Sequence, residues 1–307
     1  MKFLPYVFLG CAISLNLCAD VAKPKSSNPG GALPAVWSST TAQERLKALR
    51  VAQLDAYRAL AARVYGFQFA AGTIVYDYAL KSDTIHSRLE TVLKGAAEME
   101  EPEYTDKGMV MVVYGLKLEK IFDVLKIDRS FNSLLINKQI QHQGKIIEAL
   151  GCGALPGSMG LKMLHAKRAA ELDAYRLLAE RLVGVKINSE TSVAGLCLKN
   201  DKVEASLAAF LKGLKPVGVS YQDDGACSVT VQLKIREVVE TIENLIRVYN
   251  SGNADKITDI RITTNDKIFK ATGHGAPRDD STVVSLSSGS TAQTILHKII
   301  KKEIVVE

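Results

Sequence analysis

Residues 49–66 read LRVAQLDAYRALAARVYG, and residues 167–184 read KRAAELDAYRLLAERLVG. Between Ala48 and Gly66 the two copies agree at 12 of 19 positions, at a constant offset of 118 residues. The same offset pairs Leu93-Lys94-Gly95 with Leu211-Lys212-Gly213. Similarity over roughly 80 residues has the length of a small domain, so it predicts a duplicated unit. Because duplicated units usually supply surfaces for stacking or for partners, the repeat favours a structural or binding role.

A second, shorter element is also repeated. Residues 145–154 read KIIEALGCGA, residues 267–276 read KIFKATGHGA at an offset of 122, and a weaker copy survives at 31–34. We interpret the Gly-x-Gly pair as a strand-exit turn, because glycine adopts the backbone angles of tight turns. After the last copy, residues 290–293 echo residues 40–43. The chain is therefore predicted to hold two complete units and the start of a third.

The first repeat predicts a helix over Ala42–Tyr65, capped by Thr40 or Thr41 and ended by Gly66. Its expected core-facing stripe is rich in small residues, which would let the helix lie close to a sheet. The stripe consists of Leu46, Leu49, Ala52, Ala56, Leu60 and Val64.

The residues after this helix predict an α+β arrangement. The expected elements are a strand at 67–78, a helix at 84–94, strands at 97–104 and 109–118, and a closing helix at 120–125 or, in the second unit, 238–249. Asp106-Lys107-Gly108 and Asp223-Asp224-Gly225 favour hairpin turns. Each tandem module is thus a helix, then strand-helix-strand-strand, then a closing helix.

Composition and repeat limits divide the chain into six predicted segments. They are a signal peptide at 1–19, a flexible tether at 20–38, a first module at 39–126, a linker at 127–144, a second module at 145–250, and a partial third unit or C-terminal extension at 251–307.

The N-terminus carries an export pattern, since Met1-Lys2 precedes an apolar stretch that runs to Ala19. Cleavage after Ala19 and lipidation at Cys11 are the two alternatives. Either one predicts an exported protein that is periplasmic or associated with the outer membrane.

The formal net charge of +6 arises from 39 basic and 33 acidic residues that are mixed along both repeats. This mixture is typical of an ordinary solvated surface. Aromatic residues make up 6% of the chain, which leaves little material for stacking on bases. The sequence therefore predicts no binding to nucleic acid.

Three cysteines remain beyond the signal segment, namely Cys152, Cys197 and Cys227. In an oxidising compartment, a disulfide between Cys197 and Cys227 would join two strands of the second module. Free, buried thiols are the alternative, because Ala79 stands in the first repeat where Cys197 stands in the second.

No arrangement of residues in the sequence predicts catalysis. Gly151-Cys152-Gly153 lacks the third glycine of a dinucleotide-binding loop. None of the histidines has the spacing of a metal ligand; they are His86, His142, His165, His274 and His297. We therefore predict no catalytic, cofactor-binding or metal-binding residues, no cofactor, and a protein that is not an enzyme.

One polar motif survives in both copies of the long helix. Its members are Asp55, Tyr57 and Arg58 in the first copy and Asp173, Tyr175 and Arg176 in the second. An aspartate and an arginine three residues apart can pair on a helix, and a tyrosine can pack its ring while its hydroxyl finds a partner. These residues are either determinants of the fold or contacts between subunits.

Residues 166–180, AKRAAELDAYRLLAE, resemble the hallmark helix of the Lpp-twenty-type envelope lipoproteins, a family that includes the flagellar basal-disc protein FlgP. The upstream Gly-x-Gly-Ala-x-Pro sequence and Thr191-Ser192-Val193 also match, and the resemblance covers 145–249 and, less completely, 30–125. It implies SHS-two-like modules, an outer-membrane or periplasmic location and, in flagellated bacteria, assembly of a ring or disc around the motor. Family members commonly carry one module and a clear lipobox, whereas this chain has two modules.

The first functional hypothesis is a non-enzymatic exported envelope protein that oligomerises as a structural or assembly component, for example of a flagellar basal disc or ring needed for motility. Its expected partners are copies of itself and flagellar or other envelope proteins. Under this hypothesis the partial third unit completes a neighbour's sheet, and truncation at Asn250 leaves folded modules but abolishes assembly. The alternative is a monomeric periplasmic adaptor that binds another envelope protein or a cell-wall component.

Overall fold

The computed structural model describes residues 33–70, 73–132, 144–185, 192–249 and 268–277. Helices and small sheets both contribute, so the fold is α+β, as the sequence predicts. The predicted signal peptide, Cys11 and the repeat at 290–293 lie outside the described residues. No helix in the described ranges is long and apolar enough to cross a membrane.

The elements follow one another in chain order. The helices are α1 (Ala35–Ser38), α2 (Ala42–Tyr65), α3 (Val75–Lys81), α4 (Asp83–Lys94), α5 (Leu118–Leu125), α6 (Met159–Val183), α7 (Val193–Lys199), α8 (Asp201–Gly213) and α9 (Ile235–Tyr249). The strands are β1 (Gln68–Ala70), β2 (Thr73–Ile74), β3 (Ala97–Glu98), β4 (Glu103–Tyr104), β5 (Met109–Lys117), β6 (Ile146–Ala154), β7 (Pro216–Tyr221), β8 (Cys227–Lys234) and β9 (Ile268–Gly275).

The two long helices, α2 and α6, carry the repeated sequence, and the predicted helix over Ala42–Tyr65 is confirmed. The Thr41 hydroxyl accepts a hydrogen bond from the Glu44 backbone N–H, and the Glu44 carboxylate accepts one from the Thr41 backbone N–H, both at 3.3 Å. This reciprocal capping box satisfies N–H groups that the first helical turn leaves without partners. Ser158 caps α6 in a related way, since its hydroxyl accepts from the Leu161 backbone N–H at 3.2 Å.

The first sheet is built on β5. The short strands β3 and β4 pair with one edge of β5, and β6 pairs antiparallel with the other edge from Met109↔Ala154 to Lys117↔Ile146. By sequence, 145–154 begins the second module. In the structure this segment is hydrogen-bonded along its length to a strand of the first repeat, while the domain limits themselves stay a prediction.

The second sheet has the strand order β7-β8-β9. β9 pairs antiparallel with β8 from Cys227↔Gly275 to Lys234↔Ile268. β9 belongs to the predicted partial third unit, and here it completes a sheet of its own chain. Truncation at Asn250 would therefore remove a strand from the second sheet, contrary to the expectation that the modules would remain intact.

The predicted strand at 67–78 is wrong in its second half, where α3 begins at Val75. Asp77 lies in the first turn of α3, and its carboxylate accepts a hydrogen bond from the Ile74 backbone N–H at 3.2 Å. Val75, Tyr78 and Ala79 are buried together, with the three- and four-residue spacing of one helix face. Tertiary packing thus overrides the strand preference of the β-branched and aromatic residues.

The predicted apolar stripe of α2 is correct at Ala52, Ala56, Leu60 and Val64, which are buried, but wrong at Leu46, which is 58% exposed. Leu49 is partly buried against the core. Ala48, absent from the predicted stripe, is buried because strand β6 lies against it. The buried face is therefore narrower and more alanine-rich than expected.

Each long helix has its own hydrophobic core, one between α2 and the first sheet and one between α6 and the second sheet. The two halves meet where the C-terminal end of α2 crosses α8. A Cβ on Gly66 would lie 2.7 Å from the Gly213 Cα and 2.6 Å from the Ala209 carbonyl oxygen. Glycines are therefore required at this crossing.

Candidate functional site

The most distinctive construction in the molecule is the close packing of the Gly-x-Gly strand β6 on helix α2. A Cβ on Gly151 would lie 2.2 Å from the Ala52 carbonyl oxygen, and one on Gly153 would lie 2.1 Å from the Ala48 carbonyl oxygen. No side chain fits at such distances, so the strand backbone rests directly on the helix backbone. The interpretation of Gly-x-Gly as a strand-exit turn is therefore wrong: these glycines lie inside the strand, and the turn follows at Gly157, where φ is +68°.

The second sheet repeats this construction. A Cβ on Gly273 would lie 2.2 Å from the Ala170 carbonyl oxygen, and one on Gly275 would lie 1.9 Å from the Ala166 carbonyl oxygen. Four helix residues rise about 6 Å, and two strand residues advance about 6.6 Å. Alanines four apart on the helix therefore match glycines two apart on the antiparallel strand. We call each such unit, α2 with β5 and α6 with β8, a strand cradle, and β6 and β9 their occupants.

Charged side chains of α2 also reach the backbone of β6. The Asp55 carboxylate accepts a hydrogen bond from the Cys152 backbone N–H at 3.1 Å, and the Arg63 guanidinium donates to the Glu148 carbonyl oxygen. Eight helix residues span about 12 Å, and four strand residues span about 13 Å, so both contacts form at once. They bind backbone groups that a sheet edge would otherwise present to another chain.

The equivalent side chains of α6 make the equivalent contacts on β9. The Asp173 carboxylate accepts from the His274 backbone N–H at 3.2 Å, and the Arg181 guanidinium donates to the Lys270 carbonyl oxygen at 2.5 Å. Each cradle therefore binds main-chain groups of its occupant strand. It also requires glycine at two positions, because a side chain there would not fit against the helix. Such recognition tolerates variation at the remaining positions of the strand.

The other residues of the predicted helix motif make contacts within the chain. The Tyr57 ring packs on Tyr114 with 4.6 Å between ring centroids, and the Tyr175 hydroxyl donates to the Leu214 carbonyl oxygen at 2.9 Å. Arg176 is ion-paired with Asp173 at 2.8 Å and with Glu180 at 2.6 Å, whereas Arg58 is exposed. The motif thus contributes to the fold on both helices.

A polar cluster, missed by sequence reasoning, lies where α6 crosses β6. The Lys167 ammonium lies 3.9 Å from the Cys152 sulfur and 3.6 Å from the Glu171 carboxylate. The Cys152 sulfur and the Glu171 carboxylate raise the pKa of Lys167, and burial raises the pKa of Cys152 and of Asp55 beside it. A charged lysine beside a buried cysteine and a carboxylate contributes polar contacts between the two halves.

The candidate disulfide between Cys197 and Cys227 is not formed, and both residues and Cys152 are free and buried. Cys197 lies on helix α7 rather than on the predicted strand, whereas Cys227 opens β8. Burial raises the pKa of Cys197 to about 12 and that of Cys227 to about 11. Both thiols therefore remain protonated at neutral pH.

No group of three or more histidine, cysteine, aspartate or glutamate side chains is arranged to hold a metal ion within the described ranges. His86, a representative case, lies 3.5 Å from Glu90 and stacks on Tyr65. These contacts belong to the surface of α4 and the end of α2.

The outer faces of the two sheets, which point away from α2 and α6 respectively, differ in character. In the first sheet Met109, Met111 and Cys152 form a small apolar core with Leu150 and with Leu164 of α6. In the second sheet the equivalent face is polar and open; Lys270, Thr272, His274 and Gln232 are exposed, and Thr230 and Thr272 share a hydrogen bond of 2.9 Å. The alternation of polar and small residues in 268–275 is the sequence signal for this difference.

Comparison with known proteins adds no assignment. No family model, no curated protein and no solved structure matches this chain. Function must therefore be inferred from the residues and their contacts.

Proposed function

We propose that this chain is a non-enzymatic exported envelope protein that self-associates as a structural or assembly component. The observation that carries the proposal is the strand cradle. It binds a strand through backbone contacts, occurs twice, and connects one repeat to the next. A contact of this kind can join repeated units into an extended assembly.

The first cradle supports this reading because its occupant belongs to the following repeat. β6 lies on α2 and β5, and after the short turn at Gly157 the chain continues directly into α6. The link between the two halves is thus a strand-addition contact, which is a common mode of recognition between protein chains.

The location is part of the proposal and is supported by the N-terminal export pattern. The resemblance of 166–180 to the Lpp-twenty-type envelope lipoproteins supports a periplasmic or outer-membrane-associated protein. In a flagellated cell, the same resemblance supports a component of a basal disc or ring.

A second candidate function is a monomeric periplasmic adaptor. The polar face of the second sheet favours it, because Lys270, Thr272 and His274 are exposed there, whereas the equivalent face of the first sheet is covered. Such a face could bind another envelope protein or a hydroxyl-rich cell-wall polymer.

Two measurements separate these proposals. Light scattering of the protein purified from the cell envelope gives the number of chains in each particle, and electron cryotomography compares envelopes of cells with and without the chain. We expect a multiple of the chain mass and the loss of a defined ring, disc or layer in the deletion strain. A monomer together with an unchanged envelope would refute self-assembly and favour the adaptor.

A further inference from the structure

We propose that β9 is exchanged between copies, so that residues Ile268–Gly275 of one chain occupy the cradle formed by α6 and β8 of a second chain. This inference rests on the self-association proposed above and names the element that would mediate it. The partner is a second copy of this chain.

The first argument is that the contacts of β9 do not depend on its own connection to the second sheet. β9 packs chiefly on α6 and β8. Its glycines lie on the alanines of α6, and Asp173 and Arg181 bind its backbone at His274 and Lys270. An identical strand from another copy would form every one of these contacts, so exchange retains all of the binding surface.

The second argument is the difference between β6 and β9. β6 is held on both faces, by α2 on one side and by Leu164 of α6 on the other, and only four residues separate Ala154 from the start of α6. Among the residues that the structure describes, β9 is packed on one face, and its other face carries exposed Lys270, Thr272 and His274. Releasing β9 therefore detaches no other described element, although it uncovers α6, whereas releasing β6 would also separate α6 from the first sheet.

The third argument is reach. Eighteen residues, 250–267, separate α9 from β9 in the sequence. Fully extended, eighteen residues span about 60 Å, which is enough to pass from one copy to the cradle of an adjacent one. If each copy gives its strand to the next, the contact is head to tail and closes into a ring when the rotation between neighbours permits it.

The test uses cysteines placed across the strand pair. Thr230 of β8 lies directly opposite Thr272 of β9, with 2.9 Å between the two hydroxyl oxygens. Full-length T230C and T272C chains, carrying tags of different size, are produced in the same cells and oxidised with oxidised glutathione. Exchange predicts that a covalent dimer containing one chain of each kind forms on a non-reducing gel, and that neither single variant produced alone forms it.

The matched control lies at the equivalent position of the first sheet, where Val113 of β5 is opposite Leu150 of β6. Co-produced V113C and L150C chains should give no mixed dimer, because β6 is held on both faces. The S228C and H274C variants form a second pair in the register of β8 and β9 and replace the first pair if either threonine variant fails to fold.

The double variant T230C/T272C separates failure of exchange from failure of self-association. Covalent chains of two or more copies support exchange. Cross-linking confined to single chains, in a sample that light scattering shows to be oligomeric, refutes exchange and leaves self-association standing. Cross-linking confined to single chains in a monomeric sample refutes both proposals.

Discussion

Asp77 of α3 accepts a hydrogen bond of 2.7 Å from the Ser206 hydroxyl of α8, and the two side chains are 2% and 0% exposed respectively. The contact joins residues that are 129 positions apart in the chain. It is one of the polar links that hold α3 of the first repeat to a helix of the second. Burial raises the pKa of Asp77, although the bonds from Ser206 and from the Ile74 backbone oppose the shift.

This relationship predicts a pH dependence of stability. A carboxyl group whose pKa is higher in the folded than in the unfolded protein stabilises the fold fully below the unfolded pKa, about 3.9, and that contribution is lost as pH rises through the folded pKa. We therefore expect the stability of the wild type, relative to Asp77→Asn, to fall as pH rises above about 4. Urea unfolding of both proteins across pH 4 to 8 measures this difference.

Asp173→Asn is the matched control for that experiment. Its hydrogen bond from Arg176 lowers the pKa of Asp173, so its contribution is present above the unfolded pKa and lost as pH falls. From pH 4 to 8 the difference between the wild type and Asp173→Asn should therefore stay nearly constant, whereas the difference between the wild type and Asp77→Asn changes with pH. A wild type that gains stability over Asp77→Asn with rising pH would contradict the assignment.

The strand cradles predict a large cost for adding a single methyl group. Gly151→Ala and Gly273→Ala each place a Cβ about 2.2 Å from helix backbone atoms, and we expect a loss of about 3 kcal/mol in the free energy of unfolding. Gly218→Ala is the control, because its nearest neighbour would be the Thr230 Cβ at 3.9 Å. Denaturant titration should leave that control within about 0.5 kcal/mol of the wild type.

The hydrogen bond from the Cys152 N–H of β6 to the Asp55 carboxylate predicts that Asp55 protects this amide from hydrogen exchange. Asp55→Ala leaves the Cys152 N–H without its carboxylate partner, and we expect a cost of about 1–3 kcal/mol. Hydrogen exchange of the Cys152 amide should accelerate, while Asp55→Asn, which keeps an acceptor oxygen, restores most of the protection. Equal exchange in all three proteins would show that the bond is not formed in solution.

We expect the removal of β9 to lower the stability of the second sheet, although β9 lies in the predicted partial third unit of the sequence. A chain ending at Asn250 lacks the strand that covers the alanines of α6, whereas a chain ending at Pro277 keeps it. We expect the shorter chain to unfold at a clearly lower temperature or to aggregate, and the longer one to retain the second sheet. Calorimetry of the two truncated proteins beside the full chain makes the comparison.

The parts of the fold that follow from local signals could be predicted from the sequence. The side chains of Thr41 and Ser82 cap the N-termini of α2 and α4, and Gly95 ends α4. These helix limits depend on residues that are local in the sequence. The alanine-rich face of α2 also predicts close packing on a sheet, and the structure confirms it.

The parts that depend on distant contacts could not be predicted. Helix α3 forms where β-branched residues favour a strand, because Asp77 is bonded to Ser206 of α8 and Tyr78 packs on distant Phe131. The Gly-x-Gly segments look like turns in isolation, and only the helix that packs on them shows why they are strands. The cluster of Lys167, Glu171 and Cys152 joins elements that have no sequence pattern in common.

The pairing of β6 with β5 and of β9 with β8 has a consequence for how such a chain can be lengthened. The boundaries of the sequence repeat and of the sheet differ by one strand. The last strand of each sheet comes from the first residues of the following repeat. A gene made of any whole number of repeats would always leave its final sheet one strand short. The fragment at 267–276 supplies this strand to the second sheet, so an added repeat would need the same ten residues after it.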